Sequence, residues 1–141
     1  MKQAIATILV ATLAACAGCS GDAGNPDLRK SAEAALESGK EAFDQGQFDQ
    51  AYEMLSQATQ GGLNADLYSE ALVYHAVAAI QLAKYDEAKA DFDILDQGAT
   101  NMDEVLAAKS FLAAKQGNKS QASRLMSEAK RLNPKVKKFG P

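Results

Sequence analysis

The sequence predicts an all-α fold, a single array of short helices, from three observations. No proline occurs between Pro26 and Pro134, and this stretch is rich in Ala, Leu, Glu, Lys and Gln, which are good helix formers. Its β-branched and aromatic residues do not alternate with polar ones as they would in strands. Glycines divide it into short segments, as expected near helix carboxyl ends: Gly46, Gly61, Gly62, Gly98 and Gly117. With 141 residues, 47% of them apolar, the chain has the size and composition of one globular domain.

A six-residue motif occurs three times in this stretch. Residues 46–51, 83–88 and 117–122 each end in an alanine, and these alanines lie 37 and then 34 residues apart. Four residues after each alanine comes a large apolar side chain, which lies one turn further along the same helix face: Leu55, Phe92 and Met126. A small residue followed by a large one at this spacing indicates repeated pairs of packed helices.

The motif resembles that of the tetratricopeptide repeat, a helix–turn–helix unit of about 34 residues. The resemblance covers residues 32–65, 69–102 and 103–136. It implies a right-handed α-solenoid of three repeats, with about six helices, in a domain over residues 28–136. The first helix of each repeat departs from the family pattern, because three other residues stand where tryptophan is usual: Ala35, Leu72 and Leu106.

The chain begins with an apolar run over residues 4–15, preceded by Lys2. Twelve residues are too few to span a bilayer, which needs about 20, but the run fits the apolar region of a secretory signal. It ends in Leu-Ala-Ala-Cys at residues 13–16, which resembles the lipobox of bacterial lipoproteins. The resemblance implies a lipoprotein signal peptide over residues 1–15, cleavage before Cys16, and a diacylglyceryl group with further acylation on that cysteine.

Two other interpretations of this segment stay open. Lipidation at Cys19 is one, and ordinary signal cleavage at the Ala-Cys-Ala of residues 15–17, which releases a protein without an anchor, is the other. Residues 16–27 are rich in glycine and small residues, which predicts a lipidated flexible tether. Ala17, rather than aspartate, follows the first cysteine. By resemblance to sorted lipoproteins, this implies the periplasmic side of the outer membrane in a two-membrane bacterium.

The middle repeat begins with a segment that is apolar on nearly every side. In residues 71–83 only His75 and Gln81 interrupt the apolar sequence. A helix that is apolar all round must be buried all round, which fits the centre of a three-repeat array. After the last repeat, residues 137–141 are predicted to form a basic C-terminal tail.

Composition argues against most enzymes and metal sites. One histidine and two cysteines are too few for a zinc site, and only His75 is available for a catalytic triad. We interpret His75 as a half-buried structural residue, since no spacing singles out an acidic partner. The acidic run at residues 91–96 lacks the pattern of a calcium loop, and we interpret it as a solvated helix face. We therefore expect no enzymatic activity, no metal and no cofactor.

The tetratricopeptide resemblance implies a concave groove, lined by the first helix of each repeat, that binds a segment of a partner protein. Helical spacing at i, i+4 and i+7 gives nine candidate residues: Leu36, Lys40, Phe43, Val73, Val77, Ile80, Ala107, Phe111 and Ala114. Most of them suit an apolar or amphipathic segment. The alternative is that, in so short an array, these residues close the core.

Charge is divided unequally along the chain. Residues 22–108 carry seventeen acidic and five basic residues, whereas residues 109–141 carry one acidic and nine basic residues. The basic end predicts docking on anionic lipid, an acidic partner or another copy, with these candidates: Lys130, Arg131, Lys135, Lys137 and Lys138. The alternative is a polar cap that keeps the last repeat soluble. The net charge of −3 gives no reason to expect a nucleic-acid partner.

Together these features predict a lipid-anchored cell-envelope adaptor that binds another envelope protein through the concave groove. The alternative is a structural assembly subunit of an envelope complex, which self-associates and has no separate peptide ligand. The two differ in the mass of the domain in solution, since an adaptor is expected to be a monomer and an assembly subunit an oligomer.

Overall fold

The computed structural model describes residues 25–140, and in this range the chain folds into six α-helices without a strand. The helices are α1 (Pro26–Asp44), α2 (Phe48–Gln60), α3 (Ala65–Gln81), α4 (Tyr85–Leu95), α5 (Met102–Lys115) and α6 (Lys119–Leu132). The all-α prediction is confirmed. The signal peptide, both cysteines and most of the tether lie outside the described residues. Between residues 25 and 140, no helix has the length and apolar character needed to cross a membrane.

The helices stack as three consecutive pairs. The most extensive contacts join α1 with α2, α3 with α4, and α5 with α6, while α3 also packs against α1, α2 and α5. This is the solenoid-like array that the repeated motif predicts. The first two units start a few residues earlier than predicted, because Asn25 and Asn64 cap α1 and α3 by accepting hydrogen bonds from backbone N–H groups in the first turn.

The repeated motif forms the turn inside each helix pair. Gly46, Ala83 and Gly117 all have positive φ angles, of 75°, 60° and 80°. In each turn, the N–H of the following residue donates to a carbonyl five residues back, at 2.8–2.9 Å. This is the bonding of a Schellman motif, which ends a helix with one left-handed residue. The three turns therefore have the same structure, although only two of them contain glycine.

The core follows the line of small and large residues predicted from the motif. Ala51 and Ala88 are fully buried and Ala122 nearly so, and all ten residues from 71 to 80 are buried. The largest fully buried side chains come from five of the helices: Leu36, Leu55, Val73, Val77, Ile80, Leu95 and Val105. The prediction that the first helix of the middle repeat is covered on every side is confirmed, because α3 lies at the centre of the stack.

Candidate functional site

The nine predicted groove residues do not form an open stripe. Lys40 and Phe43 are half-buried and Ala114 is exposed. The other six are buried: Leu36, Val73, Val77, Ile80, Ala107 and Phe111. The reason is that α3 is covered by α1 on one side and α5 on the other, so its apolar side chains fill the space between pairs. For these six residues, the interpretation as core is correct.

The face formed by α1, α3 and α5, which we call the inner face, is covered by the chain's own C-terminus. After α6 the chain reverses at Asn133, whose side-chain oxygen accepts from the N–H of Lys135 at 3.0 Å. The Asn133 amide also donates to Asp103 of α5 at 2.8 Å. Residues 136–140, which we call the C-terminal strap, then contact all three inner helices. The predicted tail is thus packed on the domain in the described part of the chain.

Phe139 anchors the strap. It is only 4% exposed, and its ring meets Tyr74 and Phe43 edge to face, with centroids 6.0 and 6.4 Å apart. This is the geometry that aromatic pairs favour. The next residue, Gly140, lies so close to Phe111 that a Cβ atom there would clash with the ring. The inner face therefore holds one aromatic side chain followed by a residue without a side chain.

Lys137 supplies a polar contact beside this anchor. Its Nζ lies 3.1 Å from Asp44 Oδ1 and 3.2 Å from the Tyr74 hydroxyl, and 5.0 Å from the centroid of the Tyr74 ring. Burial alone would lower the pKa of Lys137, but the hydrogen bonds to Asp44 and Tyr74 outweigh it and raise the pKa. The lysine is therefore held as a cation against an acidic and aromatic surface.

Lys40 approaches the same aromatic ring. Its Nζ lies 2.8 Å from Glu70 Oε1 and 6.0 Å from the centroid of the Tyr74 ring. Burial lowers the pKa of Lys40, but hydrogen bonds to Glu70 and Glu37 raise it well above its usual value. This predicted groove residue is thus paired with acidic neighbours in the fold.

The five predicted basic-end residues lie on different surfaces. Lys130 and Arg131 are exposed on α6, and Lys135 is exposed just after it. Lys138 is exposed on the strap. Lys137 is exposed too, but it pairs with Asp44 on the inner face, so it does not share a surface with the basic residues of α6. The reason is that the strap carries this residue away from α6 and across the array.

A cavity of about 500 Å³ opens beside the strap, between α5, α6 and Phe139. Phe111, Ala114 and Met126 line it with apolar surface, and Lys115 and Lys138 also border it. Ala114 and Phe111 are thus two predicted groove residues that border this cavity. The volume falls within the range of ligand pockets in proteins, about 300–1,000 Å³.

A second polar cluster joins three helices near the centre of the array. In His75 of α3, the Nδ1 atom lies 2.7 Å from Asp91 Oδ2 of α4, and the Nε2 atom lies 2.9 Å from Ser56 Oγ of α2. His75 and Asp91 are buried and Ser56 is half-buried. Burial raises the pKa of Asp91, while the hydrogen bond and charge of His75 partly oppose this. The interpretation of Asp91 as part of a solvated face is therefore wrong, whereas Asp93 and Asp96 are exposed.

These distances match those of a Ser-His-Asp triad, but the surroundings do not support catalysis. Ser56 Oγ also donates to the carbonyl of Tyr52, one turn earlier in α2, at 2.9 Å. Ser56 lies within α2, where neighbouring backbone N–H groups are engaged in the helix and cannot form an oxyanion hole. The ring of Tyr52 stacks on His75 with centroids 4.5 Å apart. The cluster therefore acts as a buried polar link between α2, α3 and α4.

Tyr52 extends this link toward α4. Its hydroxyl donates to Glu87, and this hydrogen bond, together with burial, raises the pKa of Tyr52 to about 12. Lys84 Nζ lies 3.8 Å from the centroid of the same ring. In the stretch that the structure describes, no group of three or more His, Cys, Asp or Glu residues is placed to hold a metal ion.

The sequence did not predict the main contacts of the C-terminal strap on the inner face or of the polar cluster around His75. It did not single out Tyr74 and Phe139 as partners, or Asp91 as the partner of His75. One signal was available for the strap, since Val136 and Phe139 are isolated apolar residues in a basic segment.

The chain matches no protein-family model, no curated protein sequence and no solved structure.

Proposed function

We propose that this protein is a lipid-anchored adaptor of the bacterial cell envelope, which binds a segment of another protein on its inner face. The observation that carries the proposal is the strap, an irregular segment seated across α1, α3 and α5. A face that already holds one such segment has the shape and chemistry to hold another. The tetratricopeptide-like motif supports the same function, because the first helices of that family form a peptide groove.

The proposed anchor is Cys16, on the periplasmic side of the outer membrane. We expect Cys16→Ser to release the protein from membranes, since two or more acyl chains are needed for stable attachment. Cys19→Ser is the matched control and should stay in the membrane fraction after a high-salt wash. If Cys16→Ser also remains there, the lipid anchor is not at this residue.

The proposed partner site can be tested by crosslinking in cells. A photo-crosslinking residue at Ala114, which is exposed and borders the cavity beside the strap, should capture a distinct protein. The same residue at Ala90, exposed on α4, should not. Equal capture at both positions, or capture at neither, would contradict the proposal that the inner face binds the partner.

The second candidate function is a self-associating assembly subunit of an envelope complex. The division of charge between an acidic and a basic part favours contacts between copies, and such contacts need not close into a ring. The mass of the protein at micromolar concentration separates the two functions. A monomer supports the adaptor, whereas a defined oligomer supports the assembly subunit.

A further inference from the structure

Resting on the proposed function, we infer that the inner face selects partner segments in which a lysine and an aromatic residue stand two positions apart. The C-terminal strap is the resident example of this pattern, with Lys137 and Phe139. It occupies the site until a partner segment displaces it.

The aromatic position is defined by the packing around Phe139. Its ring is nearly fully buried, against the edges or faces of Phe43 and Tyr74. These two rings also meet each other edge to face, with centroids 5.5 Å apart. They therefore form an aromatic pocket whose walls come from α1 and α3. An aliphatic side chain in the place of Phe139 would lose the contacts between rings.

The lysine position is defined by charge. Asp44 is the last residue of α1, so the cation of Lys137 meets both a carboxylate and the negative end of a helix dipole. The Tyr74 hydroxyl accepts a second hydrogen bond from the same Nζ. An acidic residue at this position in a partner would meet Asp44 instead, which gives the inner face selectivity for basic segments.

The strap leaves part of the site unfilled. The cavity of about 500 Å³ beside Phe139 is lined by Phe111, Ala114 and Met126. A partner segment that carries an apolar side chain past its aromatic residue gains contacts there that the strap does not make. This extra burial is the physical means by which a partner can displace a segment that is tethered to the same chain.

The occupant we propose is a separate protein rather than a second copy of this chain. The strap starts four residues after α6 ends, and so short a tether gives it an effective concentration of the order of millimolar. At micromolar protein, exchange between copies would gain no new contact to offset that advantage. The strap therefore stays on its own chain until a segment with additional contacts arrives.

The test uses the full-length chain and a labelled peptide with the sequence of residues 133–141. In the Phe139→Ala chain, the strap is weakened, and we expect the peptide to bind at least about tenfold more tightly than it binds the parent chain, where the strap competes. A peptide with alanine at the Phe139 position is the matched control and should not bind. Binding to neither chain, while circular dichroism shows both to be helical, would overturn the inference. Equal binding of the peptide to the parent and Phe139→Ala chains would mean that the peptide binds outside the strap site, which would also overturn the inference.

A charge exchange tests the lysine position without removing Phe139. Lys137→Glu in the full-length chain should also release the strap and admit the peptide. Asp44→Lys alone should release the strap as well, because it repels Lys137, but it should reject the parent peptide and admit a peptide with glutamate at the Lys137 position. If the charge at Asp44 makes no difference to which peptide binds, the selectivity for a basic residue is refuted. A dimeric parent chain would refute the placement of the strap on its own molecule. The Ala114 crosslink and Cys16→Ser test the proposed function separately, because neither depends on the peptide.

Discussion

The buried carboxylate of Asp91 is held by one neighbouring side chain, the imidazole of His75. His75 in turn reaches Ser56, so three helices are joined through one ring. Buried polar groups in such a chain depend on each other, because each leaves an unsatisfied partner when it is removed. The stability of the middle of the array should therefore respond to Asp91 far more than to its exposed neighbours.

Asp91→Ala should lower the free energy of unfolding by about 1–3 kcal/mol, because it leaves Nδ1 of the buried His75 without a partner. Asp93→Ala, two residues later on the exposed side of α4, is the matched control and should change it by less than about 0.5 kcal/mol. Urea unfolding measures both. Equal effects would show that the link through His75 contributes nothing to stability.

The pKa of Asp91 also predicts how stability depends on pH. Burial raises this pKa above 3.8, so the folded chain keeps the proton at pH values where the unfolded chain has lost it. The contribution of Asp91 to the free energy of unfolding is therefore largest below about 3.8 and falls as the pH rises through the raised pKa. Relative to Asp91→Asn, which cannot titrate, the parent chain should lose stability over the pH range above about 3.8. A difference that stays constant across this range would contradict the shift.

At the scale of the helix pair, the turn fixes which residues face each other. His75 lies eight residues before Ala83 and Asp91 eight residues after it, so the helix pair brings them together. The same left-handed turn ends α1 and α5 with glycine but α3 with alanine. A left-handed conformation costs an ordinary residue about 1–2 kcal/mol, so the middle turn holds strain that the other two avoid.

Ala83→Gly should raise the free energy of unfolding by about 1 kcal/mol, because removing the strained Cβ outweighs the greater freedom of glycine in the unfolded chain. Ala90→Gly, at an exposed position within α4, should lower it by about 1 kcal/mol. Thermal or urea unfolding distinguishes the two. Destabilisation by both changes would mean that the turn at Ala83 is not left-handed.

The helix pairs were predictable from sequence because their packing repeats. The alanines of the motif mark each crossing, and the apolar run of α3 marks its central place. The inner face was less predictable, since Val73, Val77 and Ile80 have the same spacing whether they line a groove or a core. The contact of His75 with Asp91 required the position of the turn, and the strap follows no period at all. Its place depends on tertiary contacts of Phe139 and Lys137 that no local pattern encodes.

In the whole molecule, the unequal division of charge places the exposed basic residues of α6 at one end of the helix stack. α6 packs only against α5 among the described helices, and α1 lies at the other end of the stack. The basic face of α6, with Lys130 and Arg131 exposed, is therefore remote from the helix that follows the proposed anchor. Since Lys137 is paired with Asp44, we expect docking of the basic end on an anionic surface to depend on its other exposed residues, Lys130 and Arg131 of α6 together with Lys135 and Lys138.

We expect the anchor-free Cys16→Ser chain to bind vesicles that contain anionic lipid. The double substitution Lys130→Glu and Arg131→Glu should weaken this binding by at least about tenfold, because each basic residue near such a surface contributes about 1 kcal/mol. Lys84→Glu with Lys89→Glu changes the net charge equally in the acidic part of the chain and should have a smaller effect. Co-sedimentation measures the binding, and the difference should vanish near 1 M salt, where the Debye length falls to about 3 Å. If both pairs act equally, only net charge matters. If neither pair acts, the basic face of α6 is a cap that keeps an end without a neighbour soluble.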